Sequence, residues 1–292
     1  MSSVPQHVAV LLAEIIEWLA PQPGQTFADG TLGAGGHTRA IAEKIGPTGL
    51  VIACDRDPAA IEAAELNLAG LSIRYAQTNF CDLPEVFQQL DLAKMAGIVL
   101  DLGLSSDQLS DENRGFSFTV GGPLDLRFNP HEGEPAWRLL ERLSEPHLAD
   151  VIFQYGEERF SRRIAKKIVE RRHKEPIRTA DDLANLVRSC IPFNPKNRID
   201  PATRTFQALR IAVNDELKSL ETALRRLPDC LQPGGRLAII SFHSLEDRRV
   251  KEAFRDDPRL EVLTRKPITA SDAELQRNPR SRSAKLRVAQ RK

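Results

Sequence analysis

Residues 27–37, Phe27-Ala28-Asp29-Gly30-Thr31-Leu32-Gly33-Ala34-Gly35-Gly36-His37, place four glycines where a short apolar strand hands over to a helix. Chain without Cβ atoms turns tightly at such a junction and lets a ligand approach the backbone. A dinucleotide fingerprint requires a third glycine three residues after Gly35, and that position is Thr38. A glycine turn serving structure alone is the competing reading.

Outward from the turn the pattern alternates. Strands are expected at 26–29, 50–55, 73–76 and 97–101, helices at 37–45, 58–68 and 83–92, and a leading amphipathic helix at 7–19. Strands alternating with helices give an α/β fold, a mostly parallel sheet covered on both faces. The next buried strand, 236–241, follows the turn Pro233-Gly234-Gly235. Between Asp101 and Arg236 lie 134 residues, whereas a parallel crossover needs only about a dozen. A helix over 206–231 is expected to supply the crossover. That leaves 133–197 as an inserted helical domain within a core of residues 1–132 and 198–292. Inside the insert, Thr179 and Asp182 predict a capping box for a helix ending at Cys190, and residues 260–264 and 284–289 alternate as a closing pair of strands.

Four side chains sit where the ligand crevice of such a sheet opens. Asp55 closes the second strand, 26 residues after Asp29, where an acid accepts from ribose hydroxyls and opposes a ribose phosphate. Asn79-Phe80 follows the third strand and offers a polar group and an aromatic edge to adenine. Asp101 ends the fourth. With the failed spacing at Thr38, this set favours S-adenosylmethionine over NAD or NADP.

Composition excludes several classes. Lysine and arginine total 41 against 40 acids, so a nucleic-acid partner has to be argued from local clusters rather than net charge. Cys54, Cys81, Cys190 and Cys230 stand singly, so neither a disulfide framework nor a zinc site is expected, and no metal is assigned. No leader pattern and no apolar run of membrane-spanning length is present, which points to a cytoplasmic protein without a membrane partner.

Longer blocks carry a resemblance. The glycine turn, Asp55-Arg56-Asp57-Pro58, Asp101-Leu102-Gly103-Leu104-Ser105-Ser106 with Gln108, Arg114-Gly115-Phe116-Ser117-Phe118, Gly122-Pro123-Leu124-Asp125-Leu126-Arg127, Tyr155-Gly156-Glu157-Glu158-Arg159-Phe160 and Ser241-Phe242-His243-Ser244-Leu245-Glu246 together resemble the bacterial ribosomal RNA small-subunit methyltransferases of the H type, the MraW family. The resemblance implies a class I, Rossmann-like methyltransferase fold with a helical insertion, and methylation of the N4 amine of one cytidine of 16S rRNA in the small ribosomal subunit. It implies cofactor contacts at Gly33, Gly35, Gly36, His37, Asp55, Phe80, Asp101 and Gln108. The Asp/Asn/Ser-Pro-Pro-Tyr/Phe signature of amino-group methyltransferases is absent, Asp101-Leu102-Gly103-Leu104 standing in its place.

Within that framework Asp101 is the expected orienting acceptor for the amine, and Phe116 and Phe118 are candidates to stack a flipped base, with packing against the insert as the alternative. The helix over 158–172, with Arg159, Arg162, Arg163, Lys166, Lys167, Arg171 and Arg172, and the stretch 277–292, with seven basic residues and no acid, are candidate RNA-binding clusters. Arg114 and His243 join the candidate RNA contacts, His243 with a structural role as the alternative. A second copy of the chain, in a homodimer, remains open. Methylation of a small molecule or a protein, and a non-enzymatic assembly factor that keeps the pocket, are the competing functions.

Overall fold

The computed structural model describes residues 9–117, 122–192 and 199–292, apart from the side chain of Ser106. Helix α1 (Leu12–Leu19) leads into β1 (Thr26–Asp29), α2 (Gly36–Ile45), β2 (Leu50–Asp55), α3 (Pro58–Asn67), β3 (Ile73–Gln77), α4 (Leu83–Gln89) and β4 (Met95–Asp101). Then follow α5 (Ser106–Ser110), α6 (Ala136–Arg142), α7 (Glu145–Gly156), α8 (Ser161–Arg172), α9 (Ala180–Cys190) and α10 (Thr203–Asn214). The chain returns through α11 (Glu216–Arg226), β5 (Leu231–Ser241), α12 (Ser244–Asp256), β6 (Leu260–Val262), α13 (Asp272–Arg277) and β7 (Lys285–Arg291).

The strands form one seven-stranded sheet in the order β3-β2-β1-β4-β5-β7-β6. Pairing is parallel from β3 to β5, and β7 runs antiparallel to both β5 and β6. The central strands are apolar nearly throughout because both faces are covered. Phe27, Val51, Ala53 and Val99 pack with Ile15 and Leu19 of α1 and Ile41 and Ile45 of α2. Their sequence neighbours Ala28, Ile52, Cys54, Ile98 and Leu100 pack on the opposite face with Leu83 of α4, Leu220 and Leu224 of α11 and Phe254 of α12. This two-residue alternation fixes the register, since a slip by one would exchange the faces.

The described chain divides into one compact unit of residues 9–103 and 217–292 and a second of 104–216. The second unit is wider than the expected insert of 133–197. Phe116, Leu124 and Leu126 before that span, and Ala202, Phe206 and Leu209 after it, belong to the same core as Leu140, Ile152, Ile164 and Leu183. The flanks are therefore part of the helical unit's interior.

Three expected elements change. The helix of 206–231 is two helices, because Asp215 takes a left-handed conformation (φ 51°) and its amide closes α10 on Ile211. A left-handed residue cannot continue an α-helix. Strand β5 begins five residues earlier than expected, at Leu231, and Pro233-Gly234-Gly235 is a bulge within it, where Met95 faces Leu231 and Gly97 faces Arg236. Helix α1 starts only at Leu12, because Leu11 is left-handed (φ 52°); His7 and Val8 lie outside the described residues. At α9, Thr179 Oγ1 accepts from the Asp182 amide and donates to the Asp182 carboxylate at 2.8 Å, so the cap closes on the threonine hydroxyl.

Candidate active site

The C-terminal ends of β1, β2 and β4 and the turn into α2 converge on a set of carboxylates and glycine amides. Asp29 is 1% exposed and is the hub of the turn. Its Oδ1 accepts from the Thr31 amide at 3.0 Å and the Thr31 hydroxyl at 3.4 Å, and its Oδ2 accepts from the Thr38 hydroxyl at 2.7 Å. Burial nevertheless raises its pKa above the ordinary carboxylate value, against the lowering influence of His37 and these donors. Thr38, the residue that breaks the dinucleotide spacing, thus serves the turn through its hydroxyl. Sequence reasoning gave neither Asp29 nor Thr38 a role, although an Asp followed two residues later by Thr is a local signature of an Asx turn.

Gly35 has φ 80°, a conformation favouring glycine. A Cβ on Gly36 would lie 2.7 Å from that of Ala9, so the N-terminal segment packs directly on the turn. Asp55 receives two amides, Gly33 N–H on Oδ2 at 2.8 Å and Asp57 N–H on Oδ1 at 2.9 Å. It is pushed up to about 6, chiefly by burial. Each carboxylate oxygen has a further lone pair, so acceptor capacity for a diol remains. Half-buried Phe80 opens a 3-10 turn over Phe80–Asp82. Asn79 is committed locally, accepting from the Cys81 amide and donating to Ser219 Oγ at 2.9 Å. The polar group expected to meet adenine is therefore used to cap that turn and tie it to α11.

Asp101 closes β4. Its amide donates to Thr31 Oγ1 at 2.6 Å, and its Oδ2 lies 4.0 Å from Nδ1 of His37. Its Oδ1 is buried and has no hydrogen-bond partner. Burial lifts Asp101 to about 6; His37 opposes the rise, and Asp29 and Glu246 add to it. His37 is 5% exposed, and its Nε2 lies 2.9 Å from the Val10 carbonyl. A carbonyl only accepts, so Nε2 carries the hydrogen.

Seven of the eight expected cofactor residues thus share one unit, at the C-terminal end of the parallel strands: Gly33, Gly35, Gly36, His37, Asp55, Phe80 and Asp101. Gln108 belongs to the second unit. There its side-chain oxygen accepts from the Ser105 amide at 3.1 Å, closing a capping box on α5.

Several expected RNA contacts have other placements. Phe116 is 6% exposed and stacks on Phe128 at 5.8 Å, so it is core and cannot also take a base without unpacking. Arg114 is buried and donates to the carbonyls of Arg127 and Phe128 at 2.9 and 2.7 Å. His243 is the N-cap of α12, its Nδ1 accepting from the Glu246 amide at 3.4 Å while the Glu246 carboxylate reaches back to the His243 amide. Phe118 lies outside the described residues. Part of the basic stretch 277–292 is strand β7, where Lys285 and Arg287 pair with Asp247 and Arg291 with Asp229.

On α8, Arg172 donates to the carbonyls of Leu140 and Leu143 at the end of α6, and Arg171 pairs with Glu175. Lys167 lies 3.9 Å from Glu170, and Arg159 stacks over Phe160 at 4.7 Å. Arg162, Arg163 and Lys166 are exposed on the same helix.

Known proteins resemble this chain at two levels. An rRNA methylase of Streptococcus thermophilus is 11% identical, with a TM-score of 0.44, and the match covers 100% of this chain and 98% of that one. The ribosomal RNA small subunit methyltransferase H of Rhodopirellula baltica is 50% identical over 98% of this chain and 91% of its own length. The protein of that name in Gloeobacter violaceus is 51% identical over 98% of this chain and 88% of its own. Residues 4–292 match the MraW methylase family, and the chain belongs to it.

Proposed function

We propose that the protein transfers a methyl group from S-adenosylmethionine to the N4 exocyclic amine of a cytidine in the 16S rRNA of the small ribosomal subunit. The observation that carries this reading is the buried, unpartnered Oδ1 of Asp101 beside the glycine turn. An orphaned buried acceptor has a desolvation cost that only a donor restores, and an amine or ammonium group is such a donor. The residues fit the cofactor. Gly36 offers its backbone amide at the start of α2, the Gly35 amide being held on the Leu32 carbonyl at 2.7 Å, while Asp55 offers acceptor lone pairs for a ribose and Phe80 a half-buried ring.

When bound, S-adenosylmethionine supplies a sulfonium methyl group, an electrophile needing no further activation. The protein's part is then to orient the amine, whose lone pair is delocalised into the cytosine ring, in line with that methyl group. In this reading Asp101 accepts an amine hydrogen at its unpartnered Oδ1 and so directs the nitrogen. The second unit is the RNA-recognition element in this reading, with the exposed guanidinium and ammonium groups of Arg159, Arg162, Arg163, Lys166 and Lys167 as phosphate contacts. The site of action is the cytoplasm, where ribosomal subunits are assembled. Among the described residues no helix is long and apolar enough to cross a membrane.

The test is transfer of tritiated methyl from the cofactor to purified small subunits, followed by mass-spectrometric mapping of the modified nucleoside. N4-methylated cytidine is the expected product. Label appearing in protein or in another nucleoside overturns the assignment.

A further inference from the structure

Behind Asp101 lies a buried histidine whose side chain the reading above leaves without work. His37 follows Gly36 in the first turn of α2, and its ring is held between two elements. Nε2–H is fixed on the carbonyl of Val10, in the segment before α1, at 2.9 Å. Nδ1 faces Oδ2 of Asp101 at 4.0 Å. Since Nε2 already carries a hydrogen, Nδ1 and Oδ2 are two facing acceptors unless one of them holds a further proton. A proton on Nδ1 makes the two an ion pair at 4.0 Å, on the side of the carboxylate away from Oδ1.

We propose that His37 is a positioning residue for methyl transfer: locked on Val10, its ring serves as countercharge to Oδ2 of Asp101, and thereby keeps Oδ1 an unprotonated acceptor for the hydrogen of the attacking amine. The inference rests on the methyl-transfer reading above. The step balances as follows. The N4 lone pair forms the N–CH3 bond, the S–CH3 bond breaks with its electron pair left on sulfur, and one N4–H proton passes to Oδ1. The proton on Oδ1, an atom closed off from solvent, passes to water once the methylated product has left.

The charges around Asp101 define how this differs from a structural role. Asp29 on β1 and Glu246 on α12 disfavour its ionised form, while His37 on α2 and the Gly103 amide favour it. With Asp101 near 6, the carboxylate is ionised above that pH and protonated below, so turnover is present above it and lost as pH falls through it. Removing His37 removes the largest opposing influence and leaves those of Asp29 and Glu246 in place. The acid limb should then move to higher pH.

The experiment is kcat against pH, at saturating cofactor, on small subunits, for the unaltered protein and for His37→Gln, which keeps a side-chain donor for the Val10 carbonyl. The expected result is an acid limb displaced upward in the variant, with activity recovering at higher pH. A variant uniformly slow at every pH, or one affected only in KM for cofactor, overturns the proposal. So does 15N-histidine NMR of the unaltered protein showing hydrogen on Nδ1 of His37 alone, a measurement that needs no variant. If the unaltered protein methylates no cytidine, the methyl-transfer reading itself has failed, and that outcome is separate from the other two.

Discussion

Thr38 donates its hydroxyl to Oδ2 of Asp29 across 2.7 Å, inside the turn from β1 to α2, with both side chains essentially excluded from solvent. Thr38→Val keeps the shape and removes the donor from a buried carboxylate. The expected loss is about 1–3 kcal/mol of unfolding free energy, read by urea denaturation. Thr38→Ser, which retains the hydroxyl, should lose less. Equal stability of the Val variant and the native protein would contradict the bond's role.

Asp101 should matter more to rate than to folding. Asp101→Asn keeps the volume, but its single side-chain carbonyl makes a weaker acceptor and it carries no charge. We expect kcat to fall by roughly 10²–10⁴, the range of a positioned proton acceptor. Near-normal single-turnover transfer at saturating cofactor would remove Asp101 from the chemistry.

Three exposed cations of α8 define a test of RNA binding. Charge reversal of Arg162, Arg163 and Lys166 to Glu should weaken binding to small subunits and flatten its salt dependence. Every phosphate that is no longer neutralised lowers the slope of log K against log salt by about 0.7–0.9. An unchanged slope places the phosphate-binding cations on another surface.

Asp215 breaks the long helix expected over 206–231 by holding φ at 51°. A β-branched residue is strained in that conformation, so Asp215→Val should cost about 1–2 kcal/mol, while Asp215→Gly should be close to neutral or stabilising. Thermal melts of the two variants give the comparison. The same loss in both would indicate that the aspartate side chain, rather than the backbone angle, matters.

That break shows where sequence reading reached its limit. The sheet was legible strand by strand because buried parallel strands are continuous apolar runs, and Asp29, Asp55 and Asp101 close three of them in a recognisable way. Nothing in Asn214-Asp215-Glu216 announces a left-handed residue, since an exposed aspartate is unremarkable within a helix. Phe116 looked available because its neighbours are polar, yet Leu124, Leu126 and Phe128, close in sequence, supply its packing partners. The limits of the helical unit were hidden for the same reason. They depend on which core the flanking residues join, a tertiary property. His243 was left between two roles, and only the pairing with Glu246 three residues on shows it as a cap.

The antiparallel strand β7 has a bearing on how the protein comes into being. It lies between β5 and β6 although both are made before it. Until residues 285–291 emerge, β5 presents an unpaired backbone edge beside the strand that carries Asp101. A nascent chain at that stage has an open template for pairing with a neighbour. The late arrival of Lys285 and Arg287 at Asp247 then closes the edge with charge as well as hydrogen bonds, so loss of this one strand should lead to aggregation before it leads to a slow enzyme.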